Sequence, residues 1–329
     1  MTGTPPRIVS LLPSATEIVA AIGAGPWLVG RSHECDHPAG LEHLPVLTAP
    51  RAAYAAPGDA AAVDEQVRRT LEQGGALYHL DADRLAALRP DVIITQDLCR
   101  VCSIDLATVR RIAAALRPAP RIVSLNPTTL EGVLDDVLTV GRELGIEAAA
   151  QDAVAGLRER LYAAQDFVNP YSDGPSVALL EWTDPLFIGG HWTPQLIERA
   201  GGRCPLNPTV PVEHAGAASG PIGVTQRTAG RSRQIAAAEL VASAPEAIVI
   251  APCGLTLEQT RAEAARLAGQ AWWRALPAVR RGRVALVDGN RFFNRPGPRL
   301  VDAFEFLVGW LNDRPELIPA GFAWEPMRA

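Results

Sequence analysis

The sequence predicts an α/β protein of two doubly wound, Rossmann-like lobes with mostly parallel central sheets, joined by one long helix. Three observations carry that expectation. The chain has 329 residues, too many for one compact domain of ordinary size and comfortable for two. Short β-rich runs alternate with helical patterns over most of its length, which is how parallel sheets covered on both faces are built. One stretch between the halves, Glu147 to Val168, reads as an unbroken helix of roughly 33 Å, long enough to run from lobe to lobe. The boundaries that follow are an N-terminal lobe over 1–146, a connecting helix over 147–168 and a C-terminal lobe over 169–329.

Each element has its own signal. Arg7-Ile-Val-Ser-Leu-Leu12 is a buried-strand run, and an apolar-periodic helix follows from Ser14 to Ile22, with Ser14 as N-cap and Glu17 at capping-box spacing. Trp27-Leu-Val-Gly30 and Asp91-Val-Ile-Ile-Thr95 are the next strands. Ile104 to Leu116 is helical and is stopped by Pro118. Arg121-Ile-Val-Ser-Leu125 is a fourth strand, after which Leu130, Val133, Leu134, Val137 and Leu138 mark one face of a helix ending near Gly145. No β run occurs between Leu125 and Ser176. In the second half Ser176 to Leu180, Ala247 to Ala251 and Val284 to Val287 read as strands. Thr48 to Gln66, rich in Ala, Pro and Gly, reads as a surface loop, and Asn207 to Arg231, with seven Gly or Pro, as a mobile loop near a site. The opening strand-to-helix turn, Arg7 to Glu17, is repeated in Arg121 to Glu131, two equivalent turns within one lobe.

Charge and composition exclude several partners. The formal net charge is -5, every basic residue is Arg, and no block of like charges occurs, so nucleic acid is not the expected partner. No apolar run approaches the roughly 18 to 20 residues a membrane helix needs, and the N-terminus lacks the order of a signal peptide. The expectation is a cytoplasmic protein that is not itself a membrane protein. Five Cys, an odd number, fit reduced thiols better than a disulfide framework.

In open α/β sheets ligands meet the carboxyl ends of the strands, so the residues just after each strand are the candidates. They are Ser14; Ser32, His33, Glu34, Cys35 and Asp36; Gln96, Asp97, Cys99 and Cys102; Trp182, Asp184, His191 and Trp192; Cys253; and Asn290, Phe292, Phe293, Asn294 and Arg295. Trp182, Trp192, Phe292 and Phe293 are rings able to stack on a large planar ligand. Trp272, Trp273 and Trp310 lie in helical patterns and read as core. Cys99-x-x-Cys102 lacks the second pair a zinc ribbon needs and reads equally as a redox pair or as inert thiols. With His33, Cys35 and Cys253 it offers soft ligands for zinc or another transition metal. Cys204 lies away from the strand exits and reads as a plain thiol.

Enzyme motifs are missing. Gly23-x-Gly25 follows a helix and has no third glycine, a chain without Lys cannot carry the usual phosphate loop, and Ser219 is not at nucleophile-elbow spacing. A binding protein is the more natural expectation than an enzyme.

Four segments carry a family resemblance: Arg7 to Glu17, Val29-Gly-Arg-Ser-His-Glu-Cys-Asp36, Arg89-Pro-Asp-Val-Ile-Ile-Thr-Gln-Asp97 and Asn294-Arg-Pro-Gly-Pro-Arg-Leu-Val-Asp302. Together they resemble the cobalamin-binding branch of ABC-transporter substrate-binding proteins, in the helical-backbone class that also holds ferric-siderophore and haem binders. The resemblance spans roughly residues 7–312. It implies two α/β lobes, a backbone helix at Glu147 to Val168, a ligand cleft between the lobes, and a small-molecule ligand: cobalamin or a related corrinoid, a haem or a ferric siderophore. It also implies an ABC permease as partner, docked through surface glutamates for which Glu17 or Glu131 are the matching positions. Two features set this chain apart from exported members: no signal peptide or lipoprotein Cys is seen, and four thiols fall at strand exits. The alternative expectation is a cytoplasmic protein with an enzymatic or sensing thiol or metal site at Cys35, Cys99, Cys102 and Cys253 with His33.

Overall fold

A computed structural model describes residues 4–51, 59–73, 76–98, 104–212 and 227–327. The chain forms two compact units, one of residues 1–54, 65–127 and 132–156, the other of 55–64, 128–131 and 157–329.

The first unit is built on β1 (Ile8–Ser10), α1 (Pro13–Ala21), β2 (Leu28–Arg31), β3 (Thr48–Pro50), α2 (Ala60–Glu72, whose first turn belongs to the second unit), β4 (Tyr78–Leu80), α3 (Ala82–Leu88), β5 (Val92–Thr95), α4 (Leu106–Ala115) and β6 (Arg121–Ser124). Its sheet runs β2-β1-β5-β6, all parallel. The central strands β1 and β5 are buried at every position, as their unbroken apolar runs require, whereas the edge strand β2 alternates. Gly30 sits where a Cβ would lie 2.8 Å from Leu88 Cδ1 and 2.9 Å from Leu47 Cδ1, so a larger residue there would make those leucine side chains shift. Val9, Leu47, Leu80, Leu85, Ile93 and Val109 form the core on one face of the sheet.

Several local expectations are corrected. Pro13 occupies the first helical position of α1, where its missing N–H costs nothing, so Leu12 and not Ser14 is the N-cap, with no side-chain cap bond. Trp27 ends a short 3-10 turn, and β2 begins at Leu28. The expected loop from Thr48 to Gln66 instead contains β3, paired antiparallel with β4, and the start of α2. Asp105 caps α4 by accepting the Thr108 N–H at 2.7 Å, which leaves Ile104 outside the helix.

Then come α5 (Leu130–Leu144) and α6 (Glu147–Gln165), separated by Gly145 in the left-handed conformation at φ +71°. α6 is about 28 Å long and closes in turns in which Phe167 and Val168 donate to Ala164 and Gln165 carbonyls, so its last helical residue precedes Val168. It begins in the first unit and ends in the second.

The second unit continues with β7 (Val177–Thr183), β8 (Leu186–Ile188), α7 (Trp192–Arg199), β9 (Val210–Pro211), β10 (Arg227–Thr228), β11 (Arg233–Gln234), α8 (Ala237–Ser243), β12 (Ala247–Ile250), α9 (Leu257–Ala268), α10 (Ala271–Arg274), α11 (Pro277–Arg280), β13 (Val284–Val287), α12 (Leu300–Leu311) and β14 (Trp324–Pro326). Its sheet runs β11-β8-β7-β12-β13-β14; β7, β12 and β13 are parallel, while β8 and β14 pair antiparallel at the flanks. Of the predicted loop over 207–231, Val210–Pro211 and Arg227–Thr228 form a short antiparallel ladder, and 213–226 lie outside the described residues. Trp273 is fully buried in the core beside Ile248, Ile250 and Leu286, and Trp310 stacks on Phe306, as helical spacing predicts. Among the described residues no helix is long and apolar enough to cross a membrane.

Candidate functional site

Parallel strands place their carboxyl ends along one edge, and in each unit the predicted residues gather there. In the first unit, Thr16 on α1 reaches back to Ser10, 2.7 Å away, and to Cys35 Sγ at 3.0 Å, tying the exits of β1 and β2. Ser14, in the same turn, is buried. After β2, Ser32 and His33 converge on a residue the sequence did not single out, Thr48. Its hydroxyl donates to Ser32 Oγ at 3.0 Å, accepts the His33 backbone N–H at 3.1 Å and lies 2.7 Å from His33 Nδ1. Glu34 N–H donates to Ser32 Oγ at 3.3 Å. Leu11, Ser32, His33, Glu34, Thr48, Tyr78 and Ile104 line a small recess, and burial lowers the His33 pKa from its ordinary value. After β5, Gln96 is buried, and exposed Asp97 donates its N–H to Asn126 Oδ1 at 2.6 Å. Asp36 is exposed.

In the second unit, Trp182 is half-buried, and its indole N–H donates to the carbonyls of Ala60 at 3.2 Å and Asp184 at 3.1 Å. The start of α2 is also held by Glu263, which is only 1% exposed: it accepts the Ala60 N–H at 3.3 Å and the Thr183 hydroxyl at 2.9 Å. His191 stands at φ +55° with its N–H on the Gly230 carbonyl at 2.9 Å, and burial, followed by the charge of Arg231, lowers its pKa. Cys253 is exposed, and its N–H donates to the Glu181 carbonyl at 3.0 Å, so the exits of β7 and β12 are joined. After β13, Asn294 donates to the carbonyls of Ala251 at 2.9 Å and Gly289 at 2.8 Å, and Arg295 donates to Asn290 Oδ1 at 2.9 Å. These bonds shape the loop backbone, and Arg295 is itself buried.

The aromatic expectation needs correction. Trp192, Phe292 and Phe293 are buried, the last at 0% exposure. Trp192 donates its indole N–H to the Phe293 carbonyl at 2.6 Å, and Phe292 stacks on Phe322 with ring centroids 4.0 Å apart. They pack beneath the exit loops and present no ring to a ligand; Trp182 is the one of the four that is half-exposed. One of the two docking glutamates is corrected too. Glu17 is 4% exposed on the inner face of α1, and Glu131 is held by Arg199 at 3.2 Å and Arg158 at 3.7 Å. Glu17 is therefore not a surface carboxylate, whereas the Glu131 side chain keeps 21% of its surface exposed.

Of the proposed thiol set, Cys99 and Cys102 lie outside the described residues. Cys35 is buried with its sulfur on the Thr16 hydroxyl. Among the described residues no three His, Cys, Asp or Glu are grouped so as to hold a metal ion. Cys204, buried under β7 and α7, has its pKa pushed up to about 12 by burial, the behaviour of a plain thiol.

The fold has counterparts among solved structures. A periplasmic heme-binding protein of Pseudomonas aeruginosa is 22% identical, with a TM-score of 0.67 over 99% of this chain and 96% of its own. The periplasmic vitamin B12 binding protein of Vibrio cholerae is 20% identical, with a TM-score of 0.61 over 95% of this chain and 98% of its own. A Helicobacter pylori protein solved with Ni(II) bound is 16% identical, with a TM-score of 0.61 over 96% and 86%. These likenesses establish the two-lobe α/β fold. A search of curated proteins gave no match. The sequence model of the periplasmic binding proteins matches residues 8–290, and the chain belongs to that family.

Proposed function

We propose that the protein is a substrate-binding protein of the ABC-transporter type whose ligand is a large metal-containing molecule, a corrinoid of the vitamin B12 kind or a haem. The observation that carries this reading is the family match over residues 8–290, joined to full-length likeness to solved binders of heme and vitamin B12. The chain's own chemistry supports it. Binding sites of this class combine apolar area with a few fixed polar groups. Trp182, held by two hydrogen bonds through its indole N–H, supplies a ring of set orientation. His33 and His191 are half-buried imidazoles whose pKa burial lowers, which favours the neutral form, and neutral imidazole is a ligand for transition metals. Asp36, Asp97 and Asp184 are exposed at strand exits, suited to the polar rim of a macrocycle. An ABC permease is the proposed recipient.

The test is calorimetry with aquacobalamin and with hemin on the full chain, followed by gel filtration. Stoichiometric heat and macrocycle absorbance that elutes with the protein are expected for one of the two. No heat and no retained absorbance with either would overturn the reading.

A further inference from the structure

We propose that the carboxyl end of the chain shapes the binding loop that follows β13, and that Phe322 is its positioning residue. The inference rests on the binding reading above and adds a segment that lies outside the strand exits.

The loop over 288–295 carries three polar groups of the second unit's strand exits, Asn290, Asn294 and Arg295. Its backbone is strained at one point: Phe293 stands at φ +67°, in the left-handed region, and is fully buried. A bulky residue keeps that conformation only where its surroundings hold it, and such residues gather at functional sites. Hydrogen bonds do part of the holding. The Trp192 indole N–H donates to the Phe293 carbonyl at 2.6 Å, and Asp288 Oδ1 accepts the Arg291 N–H at 3.0 Å.

The rest comes from the C-terminal segment. β14 pairs antiparallel with β13 from Pro326 back to Trp324, and the Asp288 N–H carries the ladder one residue further, to the Ala323 carbonyl at 3.0 Å. The residue before Ala323 is Phe322, and its ring joins the loop to α12. It stacks on Phe292 with centroids 4.0 Å apart at 28°, and on Phe306 of α12 at 4.6 Å and 10°. Phe306 stacks in turn on Trp310 at 6.0 Å and 9°. An arginine closes each end of this run of rings: Arg299 lies 4.7 Å from the Phe292 centroid, and Arg283 lies 5.0 Å from that of Trp310. Stacked pairs of this kind stabilise beyond the area they bury. All four rings lie past residue 290, where the family match ends. A loop that samples other shapes binds only in the fraction of molecules that hold the right one, so losing the Phe322 ring lowers apparent affinity by that fraction.

Two measurements on the full chain test the proposal. The Asn290, Phe292 and Asn294 amides donate to the Leu255, Asp288 and Phe292 carbonyls. In ligand-free protein their hydrogen exchange should be faster in Phe322→Leu, which keeps apolar volume and loses the ring, while β7 and β12 keep wild-type rates. Unchanged exchange in the loop would overturn the proposal. In calorimetry with hemin and with aquacobalamin, Phe322→Leu should bind whichever probe wild type takes up about 10-fold more weakly. Phe322→Tyr, which keeps the ring, should restore both readouts. Leu240→Ala empties the core beside α8; it should lower the melting temperature and leave loop exchange and affinity as in wild type. An equal loss of affinity in Leu240→Ala, or wild-type affinity in Phe322→Leu, would sink the positioning role. Uptake of neither probe by wild type would overturn the binding reading, and faster loop exchange in Phe322→Leu would then still support the shaping of the loop by the C-terminal segment.

Discussion

The Glu263 carboxylate and the Thr183 hydroxyl lie 2.9 Å apart at the end of β7, in a site with almost no access to water. The other oxygen of Glu263 accepts the Ala60 N–H, and Arg266 lies 3.9 Å away, so one buried acid holds both a strand end and the first turn of α2. Glu263→Ala would leave two buried donors without an acceptor and should cost about 2–4 kcal/mol in denaturant unfolding. Glu263→Gln keeps one carbonyl and should cost less. Hydrogen exchange at the start of α2 should speed up in both, and unchanged exchange there would refute the pinning role.

Trp192 is a structural tie and not a stacking platform. Trp192→Phe removes the N–H that holds the Phe293 carbonyl and should destabilise by about 1–2 kcal/mol. Phe293→Ala empties a fully buried site and should cost about 3–5 kcal/mol. Thermal melts of both variants check this; a Phe293→Ala protein as stable as wild type would contradict the packing described.

Arg199 is a buried cation with Glu131 at 3.2 Å, Gln165 at 3.3 Å and the Phe304 ring centroid 5.6 Å away. Burial lowers its pKa, and the nearby Glu131 opposes that shift. Arg199→Ala should destabilise by about 3–5 kcal/mol, because a charged network loses its centre. Combining Arg199→Met with Glu131→Gln should recover much of the loss, and a purely additive double mutant would argue against direct coupling.

Asp136 on α5 sets a pH dependence. Burial, then the charge of Asp135, raises its pKa from 3.8 to about 7, and its Oδ2 has no hydrogen-bond partner. The folded chain therefore holds a proton that the unfolded chain releases between those values. This group's contribution is full below about 3.8 and is lost as pH rises through about 7. Asp136→Asn should raise the melting temperature more at pH 8 than at pH 5. Equal gains at the two pH values would rule the mechanism out.

What the sequence revealed follows from where the physics is local. The runs Ile8–Ser10, Val92–Thr95, Ala247–Ile250 and Val284–Val287 are buried on both faces, so their apolar continuity alone marks them as central strands. β3, β4, β8, β11 and β14 are two or three residues long and owe their extended form to a neighbour, which no window of sequence shows. The start of α2 reads as loop because its alanines follow a Pro-Gly run. At the site, strand exits were legible from alternation, but an aromatic at an exit looks alike whether it faces outward or folds beneath, as Trp182 and Phe293 show. Thr48 gave no signal, being a single hydroxyl distant in the chain from His33. Glu263 did give one: an acid on the face of α9 that Thr260, Ala264 and Leu267 bury.

The contrast among the described thiols has a practical consequence. Cys204 is sealed and reluctant to ionise, Cys35 is buried, and Cys253 stands exposed at the end of β12. With Cys99 and Cys102 replaced by Ser, a maleimide dye would attach at a single point, turning the native chain into a fluorescent reporter of whatever arrives at that strand end.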